Sequence, residues 1–148
     1  MSQQSIQKIN ELSLLNSRIR SFEGVQGLRN VEVNCIARDG LEVKFATPLQ
    51  VYYQIGDVII DFDNEVFLAT GLDQTALACA KFWMRFVALH PFHDGNGRTG
   101  KSYILKVLKD KGYAIKSFGL LNRYLIKGNV EKDMLVLKTV FKLSIEEK

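Results

Sequence analysis

From Asp73 to Leu89 the chain is apolar on almost every side. Leu77, Ala80, Phe82, Trp83, Phe86, Val87 and Leu89 recur at helical spacing and make the segment apolar nearly all round. A helix of that kind has to be enclosed by other elements, so the segment predicts the central, buried member of a bundle, with Phe82, Trp83 and Phe86 in the core. Asp73 is placed to cap its start. Pro91 ends it, because the residue before a proline is pushed out of the right-handed helical region.

The rest of the chain supplies the enclosure. Residues 5–22 read as an amphipathic helix through Ile6, Ile9, Leu12, Leu15, Ile19 and Phe22, stopped by Gly24 and Gly27. Val31, Val33 and Cys35 then alternate with Glu32 and Asn34; Leu41, Val43 and Phe45 alternate with Glu42 and Lys44. With Asp39-Gly40 between them these two runs predict a β-hairpin with a tight turn, lying on something larger. From Pro48 the helical period returns through Val51, Ile55, Val58, Ile59 and Phe62, with Tyr52 and Tyr53 half-buried, until Asp63-Asn64 and Gly71 punctuate a loop. A helix from about Thr99 to Lys111 is stopped by Gly112, and two more are expected at 117–127 and 130–143. The expected fold is mainly α with one β-hairpin, a single domain over residues 1–148 without repeat or linker.

Composition narrows the function classes. No apolar run reaches the ~20 residues that span a bilayer, and Met1–Lys8 does not resemble a signal peptide. Cys35 and Cys79 fit no metal or redox spacing and read as small buried residues, which places the chain in a reducing, cytoplasmic setting. Delivery elsewhere by a dedicated secretion system would leave no trace here. The net charge of +4 is concentrated after residue 100, where Lys101, Lys106, Lys109, Lys111 and Lys116 are spread along helices rather than run together. That spacing reads as a solvated face, not a nucleic-acid site.

Both histidines of the protein fall in one short loop, His90-Pro91-Phe92-His93-Asp94-Gly95-Asn96-Gly97-Arg98, which opens onto a helix. Two glycines let backbone approach a ligand closely, and amides at a helix start favour an anion. Arg98 adds a planar charged fork that matches phosphate oxygens, and Lys101, one turn on, adds a point charge. His90 suits general-base duty near neutral pH, and Asp94 is a hard oxygen ligand for Mg²⁺. Base, metal ligand and anion cradle are the parts that phosphoryl or nucleotidyl transfer requires. A zinc site on His90, His93 and Asp94 is the weaker reading, since no third histidine exists and the cysteines are distant. His93 reads as solvent-facing.

The nine residues resemble the Fic-domain motif His-Pro-Phe-x-Asp/Glu-Gly-Asn-Gly-Arg, with every defined position filled. The resemblance extends over about residues 27–112, including Gly27-x-Arg29 before the hairpin, Pro48 after it and the aromatic-rich helix into His90. It implies a Fic-like helical bundle that transfers AMP from Mg²⁺-ATP to a Ser, Thr or Tyr hydroxyl of a target protein, releasing pyrophosphate. His90 would be the base, Phe92 the anchor of the loop and Asp94 the Mg²⁺ ligand. Asn96 and the amides around Gly95 and Gly97 would hold phosphate oxygens, with Arg98 on the β-phosphate. The hairpin at 31–47 would be a flap that pairs with an extended segment of the target.

Two departures bear on that reading. Lys101 stands where the family usually has a second arginine, which leaves the γ-phosphate grip and the donor nucleotide open. Glu23-Gly24 supplies the end of the family's inhibitory motif, but Ile19 stands where Ser or Thr is expected. Inhibition by a separate partner protein is therefore preferred to inhibition by Glu23. A Doc-type kinase is the alternative enzyme, although that group has Lys where this chain has Gly97. A non-enzymatic module is the third reading, weakened because His90, Asp94 and Arg98 are all retained.

Overall fold

The computed structural model describes residues 2–20, 27–36, 40–125 and 133–148. Among these, six helices and two short antiparallel pairs follow one another as α1 (Gln3–Arg20), β1 (Asn34–Ile36), β2 (Glu42–Lys44), α2 (Pro48–Leu68), α3 (Leu72–Leu89), α4 (Asn96–Lys111), β3 (Tyr113–Ile115), α5 (Gly119–Tyr124), α6 (Met134–Ser144) and β4 (Ile145–Glu147). The mainly helical expectation holds, and no described helix is long and apolar enough to cross a membrane.

Helix α3 is the buried centre, packed between α2 and α6 and touched by α4. Phe82 stacks on Phe62 at 4.5 Å between ring centroids and lies 5.8 Å from Tyr103, so one aromatic layer joins α2, α3 and α4. Gly100 decides how near α4 comes. A Cβ there would stand 3.0 Å from both the Phe86 and Trp83 rings, tighter than ordinary packing, so glycine favours this approach. The start of α4, and the loop before it, is thereby pressed against the end of α3.

Several element boundaries differ from the sequence expectation. Helix α2 runs through Asp63 and Asn64, because Val66 is buried and the Asp63 carboxylate accepts from the Tyr103 hydroxyl at 2.7 Å and pairs with Lys8 at 2.8 Å. Its start is fixed by a capping box between Thr47 and Gln50, with Pro48 at the first position. Asp73 does not cap α3. Gly71 occupies the cap, and the Asp73 carboxylate pairs instead with Lys138 at 2.8 Å and Lys142 at 3.2 Å on α6. Tyr52 and Tyr53 are exposed rather than half-buried.

The hairpin forms with Cys35 opposite Val43, and Gly40 has φ +82°. The remainder of the expected turn, at 37–39, and the Cys35 side chain lie outside the described residues, whereas Cys79 is buried. A second pair, β3 with β4, sets Ala114 opposite Glu146 and was not expected. Three-residue strands are too short to carry an alternation signal, and this pair is held by burial of Tyr113 and Ile145. Asp133 caps α6 through the amides of Leu135 and Val136. The start predicted for that helix at residue 130 falls outside the described residues.

Candidate active site

The loop between α3 and α4 is fastened from inside. Phe92 is fully buried. Its N–H donates to Asn96 Oδ1 at 2.8 Å, and Asn96 Nδ2 donates back to the Phe92 carbonyl at 2.9 Å. Asn96 is expected among the phosphate-holding residues, and these bonds commit its side-chain amide to the loop while leaving its backbone N–H in the first turn of α4. Both polar atoms of that amide close the loop, and the side chain is buried while doing so. From α1, Asn16 Nδ2 donates to the Asp94 carbonyl at 2.8 Å and to Thr99 Oγ1 at 3.1 Å. Asn16 is wholly buried, and its Oδ1 has no partner among the described residues.

A second fastening holds the end of α3. Arg29 is 2 % exposed. Its guanidinium donates to the carbonyls of His90 at 2.6 Å, Leu89 at 2.9 Å, Val31 at 2.8 Å and Ala46, while its own N–H donates to Pro91 O at 2.9 Å. Burial lowers its pKa, and the negative charge of Glu32 counters this in part. His90 leaves the right-handed helical region, as expected before proline, but enters the left-handed one at φ 47°, ψ 64°. It is the one described non-glycine residue with positive φ. Its ring stacks on Phe45, with 4.0 Å between centroids and 13° between planes. The hairpin base is tied to the same turn by Ala46 N–H donating to Ala88 O at 3.0 Å.

The groups that face outward are of a different kind. Asp94 and Arg98 are exposed, and neither side chain makes an ion pair among the described residues. Gly95 caps α4 in the left-handed region at φ 75°, and no side chain caps the amides that follow. A Cβ at Gly97 would meet nothing within 4 Å, so open space lies directly over the first turn of the helix. Anion-seeking amides, a free guanidinium and a free carboxylate thus share one surface.

The remaining candidates differ in their surroundings. Lys101 Nζ lies 3.4 Å from Asn122 Oδ1 on α5, and burial lowers its pKa. His93 is half-buried rather than solvent-facing, with Nε2 buried and unpartnered among the described residues. Glu23 lies outside the described residues. No group of three or more His, Cys, Asp and Glu among the described residues could hold a metal ion. Asp94 alone is nevertheless a fitting Mg²⁺ ligand, since that ion is commonly held by one or two carboxylates with substrate phosphates and water.

Asn16, Phe45 and the clamping role of Arg29 are absent from the expected site. For Asn16 a signal existed: it falls four residues after Leu12, on the apolar side of α1. Phe45 could be read only as a strand residue.

A helical bundle that presents an uncapped helix start, a carboxylate, a guanidinium and a histidine on one braced loop has the form of a group-transfer domain for anionic substrates. The chain belongs to the Fic/DOC family, whose model matches residues 1–108. Among curated proteins it is similar to the protein adenylyltransferase and cysteine protease IbpA of Histophilus somni (strain 2336), 29 % identical over 99 residues. That match takes in 67 % of this chain and 2 % of IbpA, so the chain spans a small fraction of that relative. Among solved structures it resembles the N-terminal Fic domain of a VirB-translocated Bep effector from Bartonella quintana, with TM-score 0.70, 16 % identity, and 93 % of this chain and 70 % of that one covered. It also resembles BepC of Bartonella tribocorum with bound AMPPNP, with TM-score 0.64, 17 % identity, and 93 % and 74 % covered. These structural likenesses concern the fold.

Proposed function

We propose that this domain transfers AMP from ATP to a hydroxyl of a target protein. The observation that carries the proposal is the division of labour in the loop. Phe92, Asn96, Asn16 and Arg29 are spent on holding it, whereas Asp94, Arg98 and the first amides of α4 are left to a ligand. The IbpA relative is named an adenylyltransferase and BepC carries AMPPNP, which supports a nucleotide donor.

In this reading the amides of Gly95, Asn96 and Gly97 receive phosphate oxygens and Arg98 takes the β-phosphate. Lys101 serves the terminal phosphate. Asp94 would hold Mg²⁺, which neutralises phosphate charge when bound. His90 accepts the proton of the target hydroxyl as its oxygen bonds to the α-phosphorus, and the bond to pyrophosphate breaks. General-base assistance of this kind contributes roughly 10²–10⁴ in rate. The target lies along the hairpin at 31–47, and a separate protein supplies inhibition.

The test is His90→Ala. AMP transfer should vanish while calorimetric affinity for Mg²⁺-ATP stays within about threefold of wild type. Transfer persisting in the variant would remove His90 from the role of base.

A further inference from the structure

We propose that Arg29 is the positioning residue of His90, holding the histidine peptide in its left-handed turn and its ring against Phe45. The functional importance of this rests on His90 being the base; the geometry does not.

The argument begins with the cost of the conformation. A left-handed conformation is disfavoured for a non-glycine residue, and a residue before proline otherwise prefers extended backbone. His90 nonetheless sits at φ 47° with Pro91 after it. Something has to hold it there, and Arg29 contacts both sides of the turn. Nε takes the His90 carbonyl, a terminal nitrogen takes the Leu89 carbonyl, and the Arg29 N–H takes the Pro91 carbonyl.

The same guanidinium reaches Ala46 and Val31, at the two ends of the hairpin segment. Phe45 is next to Ala46, so one buried cation fixes both the histidine turn and the ring on which the imidazole rests. No carboxylate pairs with it among the described residues. Its compensation comes from carbonyl oxygens, including those at the negative end of α3. Lysine cannot replace it, because three donors on one nitrogen do not span four carbonyls arranged around a planar fork.

The test uses the whole chain labelled with ¹³C-histidine, whose two ring signals are assigned with His93→Gln. In Arg29→Lys and Arg29→Gln, checked by circular dichroism to keep helical content, the His90 Hε1 signal should move by at least ~0.2 ppm as the Phe45 ring current is lost, while that of His93 stays. Transfer by these variants should fall about 10²-fold in kcat, with nucleotide affinity within about twofold. In the unmodified chain the Arg29 Nε–H should exchange with solvent slowly enough to be seen at pH 7. A His90 signal at its wild-type position in a folded Arg29 variant would overturn the proposal, as would fast exchange of that Nε–H. Neither readout depends on which group the enzyme transfers, so an unmoved His90 signal with intact AMP transfer refutes the positioning role alone. Absent transfer in the unmodified chain, with a moved signal in the Arg29 variants, refutes only the reaction.

Discussion

Asn96 and the backbone of Phe92 hydrogen-bond in both directions, at 2.8 and 2.9 Å, across a loop of four residues' separation. This closed pair turns the Phe92 ring into the core and leaves the intervening Asp94 on the surface. It makes this loop a part of the core rather than an appendage to it. Asn96→Ala would strand a buried N–H and a buried carbonyl, and should cost about 2–4 kcal/mol in denaturant unfolding. A loss under ~0.5 kcal/mol would mean that the pair does not hold the loop.

Asp94 behaves in the opposite way. Its carboxylate is exposed and unpaired among the described residues. Asp94→Ala should leave stability within ~0.5 kcal/mol of wild type while lowering Mg²⁺-dependent transfer by ~10²-fold or more. Parallel melting curves and initial rates check it, and a variant with unaltered rate would exclude Asp94 from the metal.

Gly100 tests the packing that presents the loop. A methyl group there meets the Trp83 and Phe86 rings at 3.0 Å, in a layer where both are buried. Gly100→Ala should destabilise by about 1–3 kcal/mol through overpacking. Gly97→Ala, facing open space, should change stability little by comparison. Equal losses at the two positions would contradict this account of the approach between α3 and α4.

Much of this arrangement was legible in the sequence because it depends on local chemistry. The all-round apolar α3, the glycine that ends α4 and the nine-residue loop all carry their own signals. What was illegible depends on tertiary partners. Asp63 looked like a loop residue because its Tyr103 and Lys8 partners come from other helices. Asp73 looked like a cap, and its partners are on α6. At Asn96 only the fold reveals that the side-chain amide faces inward to Phe92. Arg29 is a backbone clamp across 61 residues of sequence, which no local pattern announces.

Acid should loosen the docking of α1. The Lys106 hydrogen bond, with Lys8 nearby, holds the Glu11 carboxyl below its ordinary value of 4.5. Its contribution is therefore full above that pH and is lost as pH falls through the depressed folded value. Because the pair is partly exposed the effect should stay under ~1 kcal/mol and shrink with salt. Lys106→Met should weaken the acid dependence in denaturant melts; an unaltered slope would remove this pair from it.

The central claim is tested most directly by incubating the domain with Mg²⁺, a cell lysate and ATP labelled at either the α- or the γ-phosphate, beside His90→Ala. The account predicts protein-bound label from the α-phosphate only, absent in the variant. Label from the γ-phosphate only would contradict it and identify a kinase built on the same fold.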